Sequence, residues 1–377
     1  MKAMRYKKIR VIISGGGTGG HIFPAISIAD KLRELNPETE ILFVGAEGRM
    51  EMEKVPAAGY QIAGLPIRGL QRRLNLRNIL SDIKVPFLML KSERMAARLI
   101  DSFKPDIAVG VGGYASAPLL RKAATKGIPT LIQEQNGFAG LTNRMLAKKV
   151  RCICVAYDGM ERFFPAEKIV FSGNPIRKDF HPYSDAEKAE ALEFYGLAPE
   201  KKHLFVVGGS LGSATLNNAM KKWISDGCPG GNDTEIIWQC GKKYKQGIDA
   251  FMAGRDLPSI RYSDFISRMD LAYAAADVVI SRSGASSISE ICAVRRAAVF
   301  VPSPNVAEDH QTHNAMALVN KGAALIVKDS DAEEDLLRTA LDLAHDPERT
   351  KQIERNVAPL ARPDAALTIA EEIYKLV

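Results

Sequence analysis

The chain has 377 residues, 46% hydrophobic and 25% charged, with a formal net charge of +7. That is the balance of a soluble globular protein, long enough for two domains of ordinary size. No stretch reaches the roughly 18 apolar residues of a membrane span, and the apolar run after the basic N-terminus is too short for a signal peptide, which places the chain in the cytoplasm. The basic surplus suits nucleic acid, anionic lipid or phosphorylated substrates without choosing among them.

The first predicted element is a buried strand at Arg10–Ser14, followed by Gly15-Gly16-Gly17-Thr18-Gly19-Gly20-His21. After His21, apolar residues recur at helical spacing through Leu32. This is a strand, a glycine loop and a helix N-terminus, where unpaired N–H groups and the helix dipole favour an anion or a developing negative charge. Gly15, Gly17 and Gly20 match the dinucleotide fingerprint, but the acid expected at the end of the second strand is missing: Glu47 lies beyond Gly45. A tight turn without ligand is a second reading, and a loop that holds a substrate edge beside His21 is the third and favoured one.

Strands follow at Ile41–Gly45, Ile107–Val111, Thr130–Gln133 and Cys152–Ala156, with helices beginning near His21, Met50, Leu76 or Phe87, Ala117 and Thr142. Such alternation predicts α/β architecture with parallel, doubly wound sheets. The five cysteines lack metal-ligand spacing; Cys152 and Cys154, two apart on a strand, read as core residues. The turn-rich Ser172–Arg177 reads as a domain linker. The pattern then restarts: a strand at Lys201–Val207 runs into Gly208-Gly209-Ser210-Leu211-Gly212-Ser213, as the first strand ran into its glycines. Two similar domains with a cleft between them follow, with ligands at the carboxyl ends of the strands. Later strands are Ile236–Gln239, Val278–Ser281, Ala298–Val301 and Ala324–Ile326. The last helix, about 364–376, carries Leu367, Ala370, Ile373 and Tyr374 on one stripe.

The run Ser281-Arg282-Ser283-Gly284-Ala285-Ser286-Ser287-Ile288-Ser289-Glu290 joins a buried strand to a helix through small residues that let a ligand approach the backbone. Glu290 fits either a capping box with Ser287 or a carboxylate accepting two adjacent ribose hydroxyls. His310 and His313 lie three apart on a helix without a third ligand nearby, so no motif implies a metal; Gln311 and Asn314 suit sugar hydroxyls. Gly112-Gly113-Tyr114, Gln133 through Gly137 and Thr142-Asn143-Arg144 place polar residues at successive strand ends, which reads as a binding cleft or as loop capping.

GGGTGGH with Phe23-Pro24, GGYAS, QEQNGFAGLTN, GNPIR, VVGGSLG, SRSGASSISE and HQTHNA resemble, in order and over nearly the whole chain, the MurG family. That family transfers N-acetylglucosamine from UDP-N-acetylglucosamine to lipid I, giving lipid II for peptidoglycan. The resemblance implies a GT-B-type fold of two Rossmann-like domains: 1–172 for the acceptor and the membrane, with 363–377 packing back on it, and 173–362 for the donor. It implies donor contacts at Thr18, Gly19, Gly20, Asn136, Arg177, Ser210, Ile266, Ala285, Ser286, Ser287, Ile288, Ser289, Glu290 and Gln311, with Glu290 on the ribose and Ile266 offering backbone groups to uracil. It implies acceptor contacts at Gly17, Tyr114 and Asn143, no required cofactor, no nucleic acid, and other cell-wall synthesis proteins as partners. Leu211, Thr312 and His313 depart from residues common in the family and put details of the donor contact in question.

Between Arg68 and Arg98 eight basic residues face only Asp82 and Glu93, interleaved with Ile79, Leu80, Phe87 and Leu90. A basic rim around apolar residues suits an anionic membrane surface, here the cytoplasmic face of the plasma membrane. An α-linked donor and a β-linked product require one inverting displacement, hence a general base. His21 and Glu134 are the candidates: an ordinary imidazole is mostly neutral at pH 7, and a carboxylate in a closed cleft rises in pKa.

Overall fold

The computed structural model describes residues 6–67, 85–209, 211–306 and 309–377, with side chains of the helix at 85 described from residue 87 onward. Its contacts divide the chain into one unit of Met1–Ile176 with Asp364–Val377 and a second of Arg177–Pro363. The division falls within the turn-rich stretch, yet Ser172, Gly173, Asn174 and Pro175 are buried, so the segment is packed chain up to Ile176.

The first unit runs β1 (Arg10–Ser14), α1 (Gly19–Leu35), β2 (Glu40–Ala46), α2 (Glu51–Ala57), β3 (Gln61–Leu65), α3 (Val85–Phe103), β4 (Ile107–Gly110), α4 (Ser116–Thr125), β5 (Thr130–Glu134), α5 (Leu141–Leu146), β6 (Cys152–Val155) and β7 (Ile169–Phe171). The strands form one sheet in the order β3-β2-β1-β4-β5-β6-β7, with every pair parallel. β1 shows why the sheet is covered on both faces. Val11 and Ile13 enter one core with Ile28 and Leu32 of α1; Ile12 enters the other with Leu119 and Leu120 of α4. Alternate residues of a strand point to opposite faces, and both faces here are apolar. Cys152 and Cys154 share the first of these cores, as their spacing predicts.

The second unit runs α6 (Asp185–Tyr195), β8 (Lys202–Val207), α7 (Ala214–Ser225), β9 (Thr234–Gln239), α8 (Lys245–Met252), β10 (Ile260–Ser263), α9 (Met269–Ala275), β11 (Val278–Ser281), α10 (Ala285–Val294), β12 (Ala297–Phe300), α11 (His310–Val319), β13 (Leu325–Ile326), α12 (Ala332–Ala344) and α13 (Pro347–Val357). Its sheet is also parallel, ordered β10-β9-β8-β11-β12-β13. Both sheets therefore reverse strand order beside their first strand, between β1 and β4 and between β8 and β11, where doubly wound folds bind ligands.

Strands β3, β7 and β10 are absent from the periodicity reading. β3 is largely half-exposed, β7 has three residues, and β10 carries one fully buried side chain, so none shows a strong apolar pattern. The last helix, α14 (Ala365–Lys375), returns to the first unit. Its buried face is Ala365, Ile369, Ala370 and Ile373, with Tyr374 packed against the same core and Leu367 only half-buried. The stripe thus sits one step round from the predicted one, centred on Ile369, because residues 369, 370 and 373 pack in the core that holds Ile28, Ala29 and Leu32 of α1.

Candidate active site

Three loops of the first unit meet at the carboxyl ends of β1, β2 and β4. Thr18 is the N-cap of α1 in extended conformation, and its carbonyl accepts the N–H groups of His21 and Ile22 at 3.1 and 3.2 Å. His21 is therefore the third residue of the helix rather than its cap. Its Nδ1 lies 3.1 Å from Thr18 Oγ1. Gly112, at φ +90°, lies against the other edge of the ring: a Cβ there would stand 2.7 Å from His21 Cδ2 and 2.9 Å from Nε2. Tyr114 lies over Gly17, so two of the three residues expected at the acceptor are neighbours. The hydroxyl of Ser116 lies 2.9 Å from both Ser14 O and Gly112 O and fastens the loop after β4 to the end of β1.

The N–H of Gly17 donates to Glu51 Oε2 at 3.0 Å. One of the donors that a glycine loop would offer an anion is thus already taken by a side chain of the protein itself.

Glu134 ends β5, fully buried. Oε1 accepts the backbone N–H of Asn136 at 3.1 Å and its side-chain amide at 3.3 Å; Oε2 accepts Gly140 N–H at 3.0 Å and Asn143 Nδ2 at 2.9 Å. Burial pushes the carboxyl above the usual range, and these donors pull it back. Asn143, expected at the acceptor, is itself buried and also donates to Gln133 O at 3.2 Å. Gln133 donates to Asn174 Oδ1 at 2.9 Å, Asn174 to Gln135 O at 3.0 Å, and Gln135 to Val111 O at 2.8 Å. Much of the polar material at these strand ends therefore joins loops to one another, as buried polar groups must be paired.

In the second unit the small-residue run opens α10. Gly284 is the N-cap and Ser287 lies inside the helix, so the capping box with Glu290 does not form. Tyr273, from α9, donates its hydroxyl to Glu290 Oε2 at 3.1 Å. Burial raises the Glu290 carboxyl to about 7, against the lowering effect of the Arg177 cation and the Tyr273 hydrogen bond. Ser286 Oγ is buried without a hydrogen-bond partner among the described residues, in the first turn of α10, where N–H groups lack intrahelical acceptors. Ser289 bonds back to Ala285 O at 2.9 Å, and Ile288 is buried in the core. Ser283 Oγ donates to Gln311 O at 2.9 Å and Gln311 Oε1 accepts the Ser303 N–H at 2.9 Å, which ties α11 to the same loops. Ile266 is buried in the loop after β10, and Arg177 is exposed with its guanidinium 4.6 Å from the centre of the Phe180 ring. Leu211 is 72% exposed, and Thr312 donates to Asp309 Oδ1 at 2.7 Å. Ser210 lies outside the described residues.

Two residues here carry no sequence signal of their own. Tyr273 sits in an ordinary apolar helix pattern. Arg282 has its guanidinium committed to Ser213 Oγ at 3.0 Å, Val301 O at 3.0 Å, Pro302 O at 3.2 Å and the Asp329 carboxylate. It fastens the loops after β8, β12 and β13 to one another.

Both units match models of glycosyltransferase family 28, residues 11–155 the N-terminal domain and 203–369 the C-terminal domain. A UDP-N-acetylglucosamine–N-acetylmuramyl-(pentapeptide) pyrophosphoryl-undecaprenol N-acetylglucosamine transferase of Parabacteroides distasonis is 55% identical over 98% of this chain and 99% of its own. The chain belongs to the MurG family. The crystal structure of Acinetobacter baumannii MurG is 28% identical over 98% of this chain and 100% of its own, with a TM-score of 0.77. The calicheamicin glycosyltransferase CalG4 matches at 13% identity, covering 98% of each chain, with a TM-score of 0.69, and shares the GT-B-type fold alone. The expectation of that fold and family from the ordered motifs holds.

Proposed function

We propose that the chain transfers N-acetylglucosamine from UDP-N-acetylglucosamine to the 4-hydroxyl of the muramoyl sugar of lipid I, with inversion, giving lipid II. The observation that carries this reading is 55% identity across both units to a relative named for that transfer, far beyond the 13% at which only the fold is common. In one displacement the acceptor oxygen bonds to the sugar C1 as the C1–O bond to the diphosphate breaks. The electron pair leaves with UDP, and the hydroxyl proton passes to a base.

His21 Nε2 is that base. Nδ1 lies 3.1 Å from Thr18 Oγ1; the base reading takes Nδ1–H as the donor to that hydroxyl, which leaves the lone pair on Nε2. Glu134 already accepts four donors, which supports a role in shaping the loop that carries Asn136 and Asn143 rather than in taking the proton. On the donor side, Glu290 accepts the ribose hydroxyls, the α10 N-terminus with Ser286 meets the diphosphate, and Arg177 adds positive charge toward the leaving group. The first unit then serves the acceptor and the second the donor.

The described part of α3 supports peripheral membrane binding. Phe87, Leu90, Lys91, Arg94 and Arg98 are exposed at helical spacing, opposite buried Ser92, Ala96 and Ile100. Arg68, Arg72, Arg73, Arg77 and Lys84, of the same basic region, lie outside the described residues. Among the described residues no helix is long and apolar enough to cross a membrane.

Transfer of labelled sugar from UDP-N-acetylglucosamine to a lipid I analogue tests the reading. Loss of a base costs about a hundredfold to ten-thousandfold in kcat. His21→Ala falls by that order while UDP affinity survives. A His21→Ala enzyme with near-normal turnover beside an inactive Glu134→Gln enzyme moves the base to Glu134.

A further inference from the structure

Glu51 opens α2 and is 0% exposed. Its Oε2 accepts the Gly17 N–H at 3.0 Å, and its Oε1 accepts the Ala46 N–H at 3.0 Å, at the end of β2. One side chain thus binds the loop after β1 to the end of the neighbouring strand. The backbone is shaped around it. A Cβ on Gly16 would overlap the Glu51 carboxylate, and a Cβ on Gly45 would stand 2.5 Å from Glu51 Cγ. Gly16, in the loop that looks like a ligand-binding signature, and Gly45, near the end of β2, are therefore the room this carboxylate occupies. Gly17, at φ +88°, turns its N–H inward to reach it.

From this interlock we infer that Glu51 is a positioning residue for the transfer: it fixes the Gly15–Thr18 loop, and through Thr18 the ring of His21, by acting as the loop's own built-in anion. In dinucleotide-binding folds the glycines at this turn bring the backbone up to a ligand pyrophosphate. Here a carboxylate takes one of those N–H groups from behind. The inference rests on the proposed sugar transfer and on His21 as its base.

The test is kinetic and uses the full-length enzyme, with folding checked by circular dichroism and by UDP affinity. Glu51→Gln keeps the size but turns an amide toward one of the two N–H groups. Displacement of a reacting group by about 1 Å costs on the order of a hundredfold, so kcat is expected to fall between about tenfold and a hundredfold, while KM for UDP-N-acetylglucosamine and UDP affinity stay within about threefold. Gly16→Ala leaves the charge in place but pushes the carboxylate aside, and it is expected to give the same split. In a Glu51→Ala background the added Gly16→Ala methyl enters vacated space and costs little more, so the two losses do not add.

Folded Glu51→Gln or folded Gly16→Ala enzyme with kcat within about twofold of wild type overturns the assignment, as does full additivity in the double variant. If the wild-type chain itself fails to transfer the sugar, the proposed function falls instead. The interlock is then read in melting temperature, where the same non-additivity between Gly16→Ala and Glu51→Ala is expected and full additivity overturns it.

Discussion

The imidazole Nδ1 of His21 and the hydroxyl of Thr18 stand 3.1 Å apart, three residues apart on the first turn of α1. A helix places its N-cap side chain beside the third helical residue, so the contact follows from local geometry. With Nδ1–H as its donor, the contact gives the tautomer that the proposed base at Nε2 requires.

Replacing Thr18 with valine keeps the shape and removes the hydroxyl. A hydrogen bond of this kind contributes about 0.5–1.5 kcal/mol, so kcat is expected to fall about two- to tenfold. Thr18→Ser restores the hydroxyl and should recover most of the loss. Steady-state kinetics with saturating donor measures it; equal kcat for the valine and serine variants removes the orienting role.

The raised carboxyl of Glu290 makes stability depend on pH and, on the proposed ribose role, donor binding as well. Its carboxyl is raised by burial to about 7 in the folded protein, above the value of 4.5 for an ordinary glutamate. The folded state therefore holds the proton more tightly than the unfolded one. The stabilisation is fully present below about pH 4.5 and is lost as pH rises through about 7, amounting to on the order of 3 kcal/mol. Relative to Glu290→Gln, which does not titrate there, wild type should lose stability over that window. Ribose hydroxyls donate to the ionised form, so UDP affinity should rise across the same pH range in wild type and stay flat in Glu290→Gln. Tyr273→Phe removes the hydrogen bond that favours the carboxylate and should shift both curves to higher pH. Urea unfolding and UDP titration between pH 5 and 9 read these effects; parallel curves for wild type and Glu290→Gln would exclude the raised carboxyl.

Ile373 on α14 is 0% exposed and packs in the core that holds Val11, Ile13 and Leu32. Ile373→Ala removes three carbons from a site that cannot fully collapse and is expected to destabilise the first unit by about 2–5 kcal/mol. Leu367→Ala, on the half-buried flank, should cost much less. Denaturant melts of the two variants measure the difference, and equal losses would place the buried face of α14 elsewhere.

The strand–loop–helix alternation, the restart after Arg177 and the two glycine loops were legible because they are local. A strand reveals itself in five or six residues, and a helix in two or three turns. The ordered motifs placed the chain in its family for the same reason: each is a short run fixed to one strand end. The polar residues after β5 looked alike in sequence but separated in the fold. Glu134 and Asn143 closed on each other within one loop, while Gln133 paired with Asn174, 41 positions away.

The sequence by itself determined the strongly patterned strands and helices, with β3, β7 and β10 excepted, because side-chain periodicity and glycine act on the backbone within one turn. Only the tertiary structure decided what the glycines are for and which polar groups are spoken for. The bond between Gly17 and Glu51 spans 34 residues and crosses from β1 to the helix after β2; that between Tyr273 and Glu290 crosses from one helix to the next. Hydrogen-bond partners are chosen by the parallel stacking of strands, which brings distant strand ends to one edge, and a linear pattern carries no record of that approach.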